Sequence, residues 1–142
     1  MNETPSSFLI IGGGLLAGIA LAAWSIWITR VQSRKVTARF PNAEKAQWAI
    51  YLVLAALVYV GFARAAAAPW PRTELLGVLG YGGLAAVGYL WSSKVLAAGW
   101  LLHALWDTVV HGTHTPFVPE WYRWACLSFD GLAAAWIAGK IR

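Results

Sequence analysis

The chain has 142 residues, of which 59% are hydrophobic and only 12% charged, with a formal net charge of +5. A soluble domain of this size carries about a quarter charged residues, so this composition, with a mean hydropathy of +0.57, points to a membrane protein. A single cysteine, Cys126, excludes an internal disulfide, a zinc finger and a CxxC redox motif.

The positive charge does not read as a nucleic-acid footprint. The basic residues lie between hydrophobic runs, where membrane orientation accounts for them, and no continuous basic face or nucleic-acid motif is present. No nucleic-acid partner is expected. Membrane lipids are.

Five hydrophobic segments follow one another, which predicts an all-α fold: a polytopic bundle of about five transmembrane helices forming one domain over 1–142. The first is Phe8 to Thr29, "FLIIGGGLLAGIALAAWSIWIT", without a charge. About 20 apolar residues at 1.5 Å rise cross the hydrocarbon core. A cleaved signal peptide carries positive charge before its apolar run. Here Glu3 precedes the run and the cations follow it, so a retained first helix is expected. The second segment, about 48–68, is interrupted only by Arg64. The third, 75–91, is rich in glycine. The fourth runs over about 95–112 and the fifth over about 121–141, with Asp130 inside it.

Lysine and arginine set the orientation. With five spans, Arg30, Arg34, Lys35, Arg39, Lys45, Lys94, Lys140 and Arg142 fall on one side, against Arg64, Arg72 and Arg123 on the other. The expected topology is a multi-pass cell-membrane protein with its N-terminus outside and its C-terminus cytoplasmic. Trp48, Trp70, Trp91, Trp121 and Trp124 fall near predicted span ends, as interfacial belts require. Gly14-x-x-x-Gly18, and Gly77, Gly80, Gly82 and Gly83, offer close helix contacts and would also suit self-association or membership of a membrane complex. No internal repeat or second domain is visible. Gly12–Gly14 lies inside a span and is a poor phosphate cradle, and Ser92, Ser93 and Ser128 lack a nucleophile motif.

The chemistry concentrates in "GWLLHALWDTVVHGTH", Gly99 to His114, which holds all three histidines. His103, Asp107 and His111 are spaced i, i+4, i+8 and drift slowly along one stripe of a helix, which Gly99 shares. A polar stripe at membrane depth faces protein or water, not lipid. Counting residues inward from the loop at about 1.5 Å each puts His103 and Asp130 both about 13 Å deep, so the two are expected to meet. By the same count Arg64 and Asp107 reach similar depths and form a candidate ion pair, with Glu74 as the competing partner for Arg64.

Three roles stay open for this cluster. A divalent metal is one, since histidine and carboxylate one helical turn apart can grip an ion. His103 and His111 lie about 12 Å apart along the axis and cannot share an ion. An inner set would use His103, Asp107 and Asp130. An outer set, better placed for access, would use His111 and His114 with Asp107 or Glu120. Acid/base chemistry by His103, Asp107 and Asp130 on a lipophilic molecule (isoprenoid, quinone or lipid), in a small enzyme or proton-coupled carrier, is the second role. Helix packing is the third. Pro119-Glu120-Trp121 reads as a helix start, after Pro116 and Pro119 have ended the fourth segment. Cys126 reads as a small packing residue.

Gly99-Trp100, His103-Ala104-Leu105-Trp106-Asp107, His111, Pro119-Glu120-Trp121-Tyr122, Cys126 and Phe129-Asp130 together resemble a family of small, uncharacterised bacterial integral membrane proteins with a GWxxHAxWDxxxH…PxWY…FD pattern. The resemblance covers about the last third of the chain. It implies a bacterial inner-membrane location and one shared set of His103, Asp107, His111 and Asp130, and it names no activity.

Overall fold

The structure, a computed structural model, describes residues 5–68, 72–113 and 117–141. It is all-α, with five helices over 88% of the described residues and no strand among them. They are α1 (Pro5–Val36), α2 (Ala43–Ala65), α3 (Arg72–Leu90), α4 (Ser93–Thr113) and α5 (Glu120–Lys140). Each expected segment coincides with one helix. The largest difference is at α1, which runs on past Thr29 through Arg30, Arg34 and Lys35. Those residues are polar but good helix formers, so a change of solvent does not end the helix.

Local chemistry explains several ends. Pro119, extended at φ −60° and ψ 136°, precedes α5, and Glu120 follows in its first turn. The acid faces the positive end of the helix dipole. The end of α2 is a Schellman turn: Ala68 N–H donates to the Ala63 carbonyl at 2.9 Å and Ala67 N–H to Arg64 at 3.0 Å. Ala67 takes φ 49° there, a left-handed conformation usually given to glycine.

The helices pack in the order α2, α3, α4, α5, α1, and the ring is closed only lightly between α1 and α2. Gly14 and Gly18 let α1 lie against α5, because a Cβ at either would run into backbone at Trp121 or Ala125. Ser128 reinforces this contact by donating to the Leu15 carbonyl at 2.9 Å. Gly99 admits Leu52 of α2. By contrast Gly80, Gly82 and Gly83 face open space, so the expected close contacts do not form there within the chain.

Around an apolar core of Trp48, Leu52, Leu96, Trp100 and Ile137, the surface is more apolar than that of a water-soluble domain and several ionisable groups lie inside. Leu9, Leu79 and Trp91 are 77%, 72% and 79% exposed, whereas His103, Asp107 and Asp130 are at most 1% exposed. Helices α1, α2 and α3 are long and apolar enough to cross a membrane. Helices α4 and α5 are 21 residues each, also long enough, but their inward polar groups lower their hydropathy. Trp48 is a correction: it is fully buried, edge-on to Trp100 at 5.9 Å. Helix α2 starts five residues earlier than expected, which carries Trp48 more than a turn into the bundle. Trp91 and Trp121 are exposed near helix ends, and Trp70 lies outside the described residues.

Candidate metal centre

Successive turns of α4 place His103, Asp107 and His111 on its buried side, at 0%, 0% and 2% exposure. Across from them α5 presents Asp130. His103 Nδ1 lies 2.8 Å from Asp130 Oδ2 and 3.5 Å from Asp107 Oδ2. The expected meeting of His103 and Asp130 is therefore formed. One ligand atom from each of His103, Asp107 and Asp130 falls within a sphere where all lie within 4.8 Å of one another.

Aromatic rings wall this group. The Tyr81 ring stands edge-on to His103 at 4.9 Å between centroids, and its hydroxyl donates to the Leu102 carbonyl at 3.0 Å. Tyr59 and Trp100 lie 5.9 and 6.4 Å from the same imidazole. Inside these walls, three polar atoms have no hydrogen-bond partner: His103 Nε2 and both oxygens of Asp107.

The charge count is unbalanced. Two carboxylates share one imidazole, and no lysine or arginine of the described residues pairs with them. With both carboxylates ionised, even an imidazolium leaves one negative charge among side chains that are at most 1% exposed. An uncompensated buried charge costs several kcal/mol, of the order of about 3–5. A proton or a cation removes that cost.

The expected Arg64–Asp107 pair is not formed. Arg64 is exposed at the last turn of α2 and Asp107 faces the bundle interior. Glu74 does not meet Arg64 either. It is buried at the start of α3, with its Oε2 3.3 Å from His111 Nε2. The Trp106 indole N–H donates to the same nitrogen at 3.0 Å, and Arg123 donates to the His111 carbonyl at 3.3 Å.

The outer metal set is not assembled among the described residues. His111 is taken up by Glu74 and Trp106, Asp107 belongs to the inner group, and Glu120 is exposed. His114 lies outside the described residues. The four-residue stripe thus divides into two centres. Tyr59 joins them, stacked on His111 at 4.0 Å with an interplanar angle of 1° and adjacent to His103.

Comparison with protein-family models, curated proteins and solved structures gives no match.

The geometry of His103, Asp107 and Asp130 suits a small divalent ion. Nitrogen and oxygen ligands about 2.0–2.1 Å from zinc sit roughly 3.3 Å from one another in a tetrahedron; the two separations from His103, 2.8 and 3.5 Å, bracket that value, and all three ligand atoms lie within 4.8 Å of one another. Three protein ligands leave a fourth position open, the arrangement of sites that act on a bound molecule rather than only hold the fold. One nitrogen and two carboxylates suit zinc, manganese or ferrous iron better than the soft ions that prefer sulfur.

Sequence reasoning missed Tyr59, named Glu74 only as a partner for Arg64, and gave Trp106 no role at the site. Glu74 and Tyr59 sit on other helices, and their register against α4 is set by packing. Trp106 on α4 was within reach of a signal, since it is five residues before His111 on the same helix.

Proposed function

We propose that the chain is a multi-pass integral membrane protein whose His103, Asp107 and Asp130 bind a divalent metal ion at mid-depth in the bilayer. In this reading all five helices cross, with the N-terminus outside and the C-terminus cytoplasmic. The resemblance of the C-terminal third to small bacterial membrane proteins favours a bacterial inner membrane.

The exposure pattern supports the membrane setting: a surface rich in leucine and tryptophan such as Leu9, Leu79 and Trp91, with His103, Asp107 and Asp130 inside. Such a surface is costly in water and neutral in lipid. The observation that carries the metal is Asp107. It is fully buried, both its oxygens lack a hydrogen bond, and a histidine and a second carboxylate converge beside it. Intramembrane ionisable groups of this kind mark functional sites.

A second reading is favoured by the continuation of the polar groups beyond the triad. Glu74, His111, Tyr59, Asp107, His103 and Asp130 form a buried file that begins near the outer end of α3. A file of titratable groups suits a proton path in a small membrane enzyme or carrier.

Calorimetric titration of chelator-treated protein in detergent with Zn²⁺ and Mn²⁺ separates the two. Saturable binding of one ion per chain, lost in Asp107→Asn and retained in His111→Ala, is expected of the metal site. Absence of binding in the parent protein would leave the proton path as the better reading.

A further inference from the structure

A cavity of about 420 Å³ lies where α1 and α2 touch least, and is floored by α5. Its size falls in the range of small-molecule pockets, roughly 300–1,000 Å³. Its walls are almost wholly apolar, and Asp130 is the single ionisable acid or base along them apart from tyrosine and cysteine. The rim residues Leu21 and Leu54 are 56% and 50% exposed, so the mouth faces sideways, part-way along the helices. In a bilayer that mouth opens to the acyl chains.

The lining decides what fits. An anionic head group finds no lysine, arginine or histidine on the cavity walls and meets a carboxylate instead, which repels it. A plain hydrocarbon fills the walls but does nothing for Asp130. A single-chain lipophile ending in a hydroxyl satisfies both, since its tail packs on Leu21, Leu54, Val58 and Phe129 while its O–H donates to the carboxylate.

We infer that the cavity is a binding site for an uncharged lipophilic alcohol, of fatty or isoprenoid type, that enters from the bilayer and is held at Asp130. The inference rests on the proposed membrane setting. It does not require the metal, although the shared Asp130 brings the alcohol's hydroxyl beside the triad.

The test is photolabelling in membranes with a diazirine-bearing fatty alcohol, competed by dodecanol, dodecane or dodecanoate. The protein is first shown to stay in the membrane fraction in alkaline carbonate, and metal content is measured on the same samples. Label is expected in the α2 and α5 peptides that line the cavity. Dodecanol should compete about tenfold better than dodecane, the worth of one hydrogen bond to a charged group. Asp130→Asn should shrink that advantage, and Ala55→Phe, which fills the cavity, should remove the label. Label spread evenly over the outer faces of the helices overturns the inference. So does dodecane or dodecanoate competing as well as dodecanol. Extraction by carbonate would instead remove the membrane setting, and absence of metal with label intact would remove only the metal.

Discussion

His103 on α4 and Asp130 on α5 meet at 2.8 Å, both at most 1% exposed, 27 residues apart in the chain. The contact ties the last two helices together inside the bundle. It also brings Asp107, one helical turn along α4, to within 3.5 Å of the same imidazole nitrogen. Everything proposed about the chemistry grows from that one crossing.

The first consequence concerns Asp107. Without an ion, Asp107 is buried beside a second carboxylate with neither oxygen hydrogen-bonded, so Asp107→Asn should stabilise chelator-treated protein by about 1–3 kcal/mol at a pH where the carboxyl is ionised. In metal-saturated protein the same change should lower the melting temperature, because the parent gains binding free energy that the variant cannot: about 4.1 kcal/mol at ligand one thousandfold above Kd, more than the variant's head start. Thermal melts with and without added Zn²⁺ read this change of sign. A variant that is destabilised equally in both conditions contradicts it.

Glu74 and His111 should couple. They approach at 3.3 Å in the interior, so the combined loss of both should differ from the sum of single losses by about 0.5–3 kcal/mol. Arg64 and Asp107 do not pair, and their costs should add within about 0.5 kcal/mol. Two double-mutant cycles by denaturant titration distinguish these cases. Non-additivity for Arg64 with Asp107 would count against the arrangement described.

Glycines make a paired prediction on packing. Gly18→Ala forces a Cβ into the Ala125 carbonyl, and overpacking of this kind typically costs about 1–3 kcal/mol. Gly82→Ala meets nothing within 4 Å. It should be neutral or gain up to about 1 kcal/mol from helix propensity. Equal effects at the two positions would mean that α1 does not lie on α5 as described.

Ala67→Gly should stabilise the end of α2 by about 1 kcal/mol. Ala67 holds φ 49° in the Schellman turn, where a Cβ costs about 1–2 kcal/mol and glycine removes that cost. Greater entropy of glycine in the unfolded chain offsets part of the gain. A melt of the variant lower than that of the parent would place the strain elsewhere.

Much of the site was legible before the structure. The spacing of His103, Asp107 and His111 fixes them to one side of α4 by helix geometry alone. Equal depth along the two arms of a hairpin was enough to bring Asp130 to His103. What failed needed the order of helices around the bundle. Depth matched Arg64 to Asp107, but Arg64 is on the outward side of α2. Glu74 reaches His111 only because α3 sits against α4. The cavity is a place where α1 and α2 fail to pack, and hydrophobic periodicity does not register a missing contact.

Elemental analysis of the protein purified in detergent, beside Asp107→Asn and His111→Ala, tests the central claim most directly. Near-stoichiometric metal is expected in the parent and in His111→Ala, and its loss in Asp107→Asn. Metal that survives in Asp107→Asn but disappears in His111→Ala would place the ion at the outer centre and contradict the account.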